Sequence, residues 1–186
     1  FKEEEKHHTL LSLLHLSSQK GRWLSDQGVS VVTFCLPNTF ESISWMEGAK
    51  RVGVVYVAVA SGSRVDVIES RVSDSASQLL LTSRRTAESL PPSPLMRIVE
   101  EIRTETKQDP SLRECPAVPV ESSHPLFVLY TSGSTGKPKG IVHTHGGYAV
   151  GLLETSDLVL GLRSSSDVLL VIATPGWITG QSYMIS

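Results

Sequence analysis

Three short runs of β-branched and aromatic residues, separated by segments that carry a helical apolar stripe, constrain this chain more than any other feature. Val29 to Cys35 (VSVVTFC) is the first run, and Leu36-Pro37-Asn38 ends it at a turn. Asn38 is placed to cap a helix, and Phe40, Ile43, Met46 and Ala49 then recur at intervals of three, giving one apolar stripe that ends near Gly53. Val54 to Ala60 is the second run, apolar on both faces. Ser61-Gly62-Ser63 turns the chain, Val65, Ile68 and Val72 mark a short helix, and Gln78 to Thr82 is the third run. Strand and helix alternating at a spacing of about 25 residues is the pattern of a parallel sheet with right-handed crossovers. The expected fold class is α/β, a mainly parallel sheet flanked by helices.

The remainder reads less regularly. Ser83 to Pro94, with serine, arginine and three prolines, reads as an exposed loop, after which Leu95, Ile98, Val99 and Ile102 fall at i, i+3, i+4 and i+7 of a helix. Gln108 to His124 is polar and punctuated by proline, as expected of a connection between two lobes. Residues 1–122 are therefore expected to form a first α/β lobe and residues 123–186 the beginning of a second. In that second part Leu126 to Tyr130 reads as a strand, Tyr148, Leu152, Thr155, Val159 and Leu162 as a helical face, and Asp167 to Thr174 as a further strand. At the other end, Leu10 to Leu16 is interrupted by Ser12 and His15, which fits an amphipathic helix and not a signal peptide. The chain opens on Phe1, which reads as a truncated start.

Composition excludes several classes. With 17 Lys+Arg against 19 Asp+Glu the formal charge is −2, too balanced for a nucleic-acid binder that works by bulk charge. A hydrophobic content of 40% with 19% charged residues suits a buried core and not a disordered chain. The longest nearly unbroken apolar run, Val52 to Ala60, falls far short of the roughly 20 residues that cross a bilayer, so no membrane span is expected. Cys35 and Cys115 share no short spacing, which points to free thiols and away from a disulfide framework or a CxxC metal site.

The most informative stretch follows Tyr130: Thr131-Ser132-Gly133-Ser134-Thr135-Gly136-Lys137-Pro138-Lys139-Gly140. Its three glycines permit positive φ and close approach of a ligand to the amides, while four hydroxyls and two ammonium groups offer donors to an anion. Successive amides in such a turn form an anion-binding concavity, so the stretch reads as a polyphosphate cradle. It is not the ordinary P-loop, G-x-x-x-x-G-K-[ST] leading into a helix. Gly133 and Gly136 are too close, Pro138 follows Lys137, and β-branched apolar residues follow Gly140. A flexible linker does not usually place two lysines around a proline between two expected strands.

YTSGSTGKPKG followed by VHTHGGY resembles the phosphate-loop signature of the adenylate-forming superfamily of acyl-CoA synthetases, luciferases and peptide-synthetase adenylation domains. Pro125 to Tyr130, His143 to Tyr148 and the stretch Gly176-Trp177-Ile178-Thr179-Gly180-Gln181-Ser182-Tyr183 are similar to its short-chain branch, typified by acetyl-CoA and propionyl-CoA synthetases. Leu36-Pro37-Asn38 through Arg51-Val52-Gly53 to Ser73-Asp74-Ser75 is similar to the first lobe of the same enzymes. The resemblance covers nearly all of Gly28 to Ser186. It implies an AMP-forming acid–thiol ligase that activates acetate or propionate through an acyl adenylate and passes it to CoA. ATP, CoA and Mg2+ are implied, with the metal site outside this stretch, and so is an intracellular setting in the cytoplasm or an organellar matrix. No signal for an oligomeric state is present.

The resemblance also assigns roles. Thr131, Ser132, Ser134 and Thr135 become donors to the ATP phosphates, with Gly133 and Gly136 permitting the turn. Lys137 and Lys139 become the candidate charges, and Lys139, which follows the proline, the candidate catalytic group. Trp177, Ile178 and Thr179 resemble the wall of the acyl pocket, Thr179 also matching a CoA contact. Arg84 and Arg85 fall near the arginines that meet the CoA nucleotide phosphate. Core packing is the competing reading for Trp177, and plain surface arginines for Arg84 and Arg85. His143 and His145 have an HxH spacing that on a strand would share one face, but no third metal ligand is evident.

Several departures stand beside these matches. A short Gly-Asp hairpin usual near residue 28 is missing, the stretches Ser83 to Pro94 and Ser111 to Ser123 are short, Thr174-Pro175 stands where an acidic turn is frequent, and Gln181 stands where histidine is common. Family members run to several hundred residues, so the chain is expected to be an N-terminal fragment, inactive by itself. The competing readings are an adenylation domain that loads a carrier-protein thiol and a nucleotide-binding module without turnover.

Overall fold

A computed structural model describes residues 7–108, 115–131, 136–164 and 166–184. The expected alternation of strand and helix is present. Helix α1 (Leu10–Gln27) leads into β1 (Val31–Leu36), α2 (Phe40–Arg51), β2 (Val55–Ala60), α3 (Val65–Asp74) and β3 (Leu79–Thr82). A single-turn helix α4 (Arg84–Ala87), β4 (Met96–Ile98) and α5 (Val99–Gln108) follow. β5 (Pro125–Thr131), β6 (Lys139–Thr144), α6 (His145–Glu154) with a π-helical extension (Thr155–Val159), and α7 (Ile178–Met184) complete the described chain.

The strands form one sheet in the order β4, β3, β1, β2, β5, β6. β1 to β5 run parallel, and β6 returns antiparallel to β5. Residues 125–144 thus extend the sheet that the first 122 residues build. The strand interiors are almost continuously apolar because helices cover both faces. On one face Trp23 and Leu24 of α1, Trp45, Met46 and Ala49 of α2 and Val99 and Ile102 of α5 close over Phe34, Tyr56 and Phe127. On the other, Ile68 and Val72 of α3 cover Cys35, Val57, Val59 and Leu80.

An aromatic row crosses the first face from strand to strand. Phe34 lies 5.8 Å from Tyr56, Tyr56 lies 5.5 Å from Phe127, and Phe127 lies 4.5 Å from His143. Each such cross-strand pair contributes roughly 0.2–1 kcal/mol and helps fix the register. α1 lies on α2 at a point where neither helix has a side chain. A Cβ on Gly48 would stand 2.8 Å from the Gly21 amide nitrogen and 2.9 Å from the Ser17 carbonyl oxygen, so only glycine lets the backbones meet. Beside this crossing Lys20 is buried and reaches Glu41 (2.6 Å) and the Ser44 hydroxyl.

Four local expectations are corrected. The cap of α2 is Thr39, one residue after Asn38, in a reciprocal capping box with Ser42. Ser83 to Pro94 contains the α4 turn, capped by Ser83. Leu95 and Ile98 belong to the approach and end of strand β4, and the helix begins only at Val99, because β3 offers a free edge that satisfies these backbone groups. Asp167 to Thr174 forms no strand; Val168 is 92% exposed, and among the described residues no neighbouring strand supplies the ladder that an extended segment needs.

Candidate functional site

Because β1 to β5 are parallel, their carboxyl ends share one edge, where open α/β sheets receive ligands. The turns after β1, β2 and β3 and the loop after β5 all open there. β5 and β6 form a hairpin in which Tyr130 pairs with Gly140 and Thr131 with Lys139. Gly136 has φ +79°, a left-handed conformation that residues with a side chain rarely adopt. Thr131, Gly136, Lys137 and Lys139 are exposed, Lys139 as the first residue of β6. Ser132, Gly133, Ser134 and Thr135 lie outside the described residues.

The hairpin is anchored at its root. The Tyr130 hydroxyl donates to Asp74 Oδ2 at 2.7 Å, and the Arg71 guanidinium lies 4.1 Å from the Tyr130 ring centroid. A Cβ at Gly140 would stand 3.3 Å from the same ring, so the strand carrying Lys139 rides directly over it. Burial first, and then the hydrogen bond and charge of Asp74, push the Tyr130 phenol far above its ordinary range and keep it a donor. Tyr130 is within the quoted motif, but its partners are 56 and 59 residues earlier in sequence, which no local pattern reveals.

Trp177, Ile178 and Thr179 lie at the turn into α7, and all three are exposed, Trp177 at 71%. A core position for Trp177 is therefore excluded in this chain. The preceding Gly176 packs on the backbone of Ala60, where β2 ends, one strand over from the hairpin. Ile178 also lines a cleft of about 420 Å³ between β6, α6 and α7, together with His143, Tyr148 and Ser182. Arg84 and Arg85 open α4 at the end of β3, three strand spacings or roughly 14 Å from the hairpin. Arg84 pairs with Glu101 at 3.0 Å, and both arginines are exposed.

The two histidines do not share a strand face. His143 is in β6 and stacks on Phe127, whereas His145 opens α6, and its amide donates to the His124 carbonyl. Burial lowers the pKa of both, with His124 and Lys50 adding to the effect on His145. Among the described residues no three His, Cys, Asp or Glu side chains gather where they could hold a metal ion. The described residues thus do not fit a Mg2+ site.

A mostly parallel sheet flanked by helices, with a Gly/Lys hairpin and an exposed Trp-Ile-Thr turn at its carboxyl edge, defines an open-sheet α/β protein. The family model for AMP-binding enzymes matches residues 1–186, and the chain belongs to that family. It is 31% identical to the acetyl-coenzyme A synthetase of Methylobacterium radiotolerans over an alignment that covers 98% of this chain and 33% of that protein. To the acetyl-coenzyme A synthetase of Rhodobacter capsulatus it is 32% identical, over 99% of this chain and 33% of that one. The crystal structure of Brucella canis acyl-CoA synthetase superposes with a TM-score of 0.83 at 26% identity, over 97% of this chain and 35% of that one. The chain thus spans about a third of the length of these relatives. The first alignment runs to 220 positions against 186 residues here, so the relative carries at least 34 positions with no counterpart in this chain, in keeping with the shortened stretches. No described helix is long and apolar enough to cross a membrane.

Proposed function

We propose that this chain is the part of an AMP-forming short-chain acyl-CoA synthetase that grips the phosphates of ATP and begins the acyl pocket. The observation that carries the reading is the hairpin between Thr131 and Lys139, which sets a positive-φ glycine and two exposed ammonium groups at the carboxyl edge of the sheet. In the proposed reaction a carboxylate attacks the α-phosphorus of ATP, pyrophosphate departs, and the CoA thiol displaces AMP from the acyl adenylate. A weak nucleophile that approaches a polyanion needs positioning and charge neutralisation above all. Lys137 and Lys139 supply the charge on the β- and γ-phosphate side, with Lys139 the candidate catalytic group. Thr131, Ser132, Ser134 and Thr135 donate hydrogen bonds, while Gly133 and Gly136 shape the turn. One ammonium at contact distance is worth roughly 1 kcal/mol in water and about 4 at an effective dielectric of 20, so closure of the site strengthens the grip.

Trp177, Ile178 and Thr179 form the start of the acyl wall, a bulky and β-branched boundary that suits acetate or propionate, and Thr179 faces CoA. Arg84 and Arg85 meet the CoA nucleotide phosphate, a role their exposure permits. Residues 1–122 and 123–186 belong to a first lobe and the beginning of a second, and the setting is intracellular. Mg2+ would be held by residues outside this chain. The test is acid-dependent exchange of pyrophosphate into ATP by the full-length parent protein, with acetate, propionate and longer acids. Exchange with the short acids, lost in the Lys137→Ala/Lys139→Ala variant while acid binding persists, is the expected result. No exchange with any acid refutes the reading in favour of a module without turnover, and transfer to a carrier protein but not to free CoA refutes the choice of thiol.

A further inference from the structure

We propose that Gln181 is a positioning residue for the acyl wall, a clamp made of one neutral amide that fixes the Trp177–Thr179 turn against the centre of the sheet. The proposal rests on the functional reading above and names a residue that lies outside the exposed wall. Gln181 is 1% exposed, the most buried polar side chain on the short helix α7. Its carbonyl oxygen accepts a hydrogen bond from the Tyr56 hydroxyl at 2.7 Å, and its amide nitrogen donates to the Pro175 carbonyl and, at 3.7 Å, to the sulfur of Met46. The three partners come from β2, from the turn before Trp177 and from α2. One side chain thus joins the wall to a strand and to a helix of the first-described layer.

The chemistry of the site asks for a glutamine in particular. The network uses one acceptor and two donors, which is what a primary amide provides. Neutral imidazole provides one acceptor and one donor, so a histidine here leaves either Pro175 or Met46 unmet. A carboxylate provides acceptors only and would face the Pro175 carbonyl. The clamp is close-fitting elsewhere as well. A Cβ at Gly180 would collide with the Thr174 backbone, and one at Gly176 would stand 3.2 Å from the Ala60 nitrogen. The Gln181 backbone N–H also closes the first turn of α7 on the Trp177 carbonyl at 3.1 Å. Removal of the amide leaves the Tyr56 hydroxyl buried without an acceptor and frees the turn that carries Trp177 and Ile178, while the phosphate hairpin, which is anchored by Tyr130 and Asp74, keeps its own support.

The experiment is steady-state kinetics of pyrophosphate exchange on the full-length parent protein, comparing wild type with Gln181→Met, Gln181→His and Tyr56→Phe. Gln181→Met and Tyr56→Phe are expected to raise KM for the short acid about tenfold, a loss on the scale of one buried hydrogen bond to a neutral group. KM for ATP should stay within twofold of wild type. Gln181→His should recover part of the loss. A purely structural role would lower the active fraction or the melting temperature without moving KM for the acid. Unchanged KM for the acid in both Gln181→Met and Tyr56→Phe, in an enzyme that is active as wild type, overturns the proposal, as does an equal rise in KM for ATP. If Gln181→Met does not fold, Tyr56→Phe decides by the same two constants. Absence of exchange in the wild type itself would instead overturn the functional reading.

Discussion

Lys20 offers the sharpest test of the packing, because its ammonium is buried between α1 and α2 where three groups satisfy it. Its Nζ donates to Glu41 Oε1 at 2.6 Å, to the Glu41 carbonyl at 3.2 Å and to the Ser44 hydroxyl, and it lies 5.2 Å from the Trp45 ring centroid. The side chain is 10% exposed, against 33% for Glu41. Desolvation outweighs the attraction of Glu41 and lowers the pKa from 10.5 to about 8. That fall corresponds to roughly 3 kcal/mol in favour of the neutral amine in the folded chain. Between about pH 8 and 10.5 the unfolded chain keeps the proton that the folded chain has released. The unfolded state then binds more protons, and stability from this group rises with pH across that window and is flat below it. Cys35 works in the opposite sense, since burial raises its pKa to about 11, so total stability is not the quantity to follow. The informative quantity is the difference in urea-unfolding free energy between wild type and Lys20→Met at pH 7, 8, 9 and 10. It should be constant from pH 7 to 8 and then move in favour of the wild type by about 2–3 kcal/mol by pH 10. A difference that stays flat, or a lysine side-chain NMR signal that titrates at 10.5 or above, refutes the argument.

The other expectations are quickly stated. Gly48→Ala forces a Cβ into the Gly21 and Ser17 backbone and should destabilise the chain by about 1–3 kcal/mol in urea unfolding, whereas Gly62→Ala, with nothing within 4 Å, should be near neutral. Tyr130→Phe removes the hydrogen bond to Asp74 and should raise KM for ATP about fivefold in the parent enzyme while KM for the acid is unchanged. At pH 8 a thiol reagent should modify Cys115 rapidly and Cys35 only after denaturation, because Cys35 is fully buried and its pKa is pushed up to about 11. Rapid reaction of two thiols in the native chain would contradict the position of β1 in the core.

Local pattern made the fold class, the order of β1, α2, β2, α3 and β3, and the strand that leads into the glycine- and lysine-bearing loop legible. Each of these depends on residues within a few positions of one another: the period of apolar side chains, a glycine where φ must turn positive, a lysine beside a proline. The same locality explains the misreadings. Leu95 and Ile98 fit a helical spacing, yet the free edge of β3 drew Ile98 into strand β4 and took the Leu95 carbonyl as a partner just before it. Asp167 to Thr174 has strand-like residues but no neighbour to pair with among the described residues.

Tertiary structure alone decided what stands behind the site. Tyr56 and Gln181 meet across 125 positions of sequence, and Tyr130 and Asp74 across 56. Whether a glutamine is a surface side chain or the centre of a buried clamp depends on sheet order and helix docking, which no window of neighbouring residues contains. The hydrophobic effect acts on total apolar area and so fixes which segments collapse together. The hydrogen bonds that then need partners in the dry interior select one arrangement among the collapsed ones, and those partners come from whichever strand happens to lie alongside.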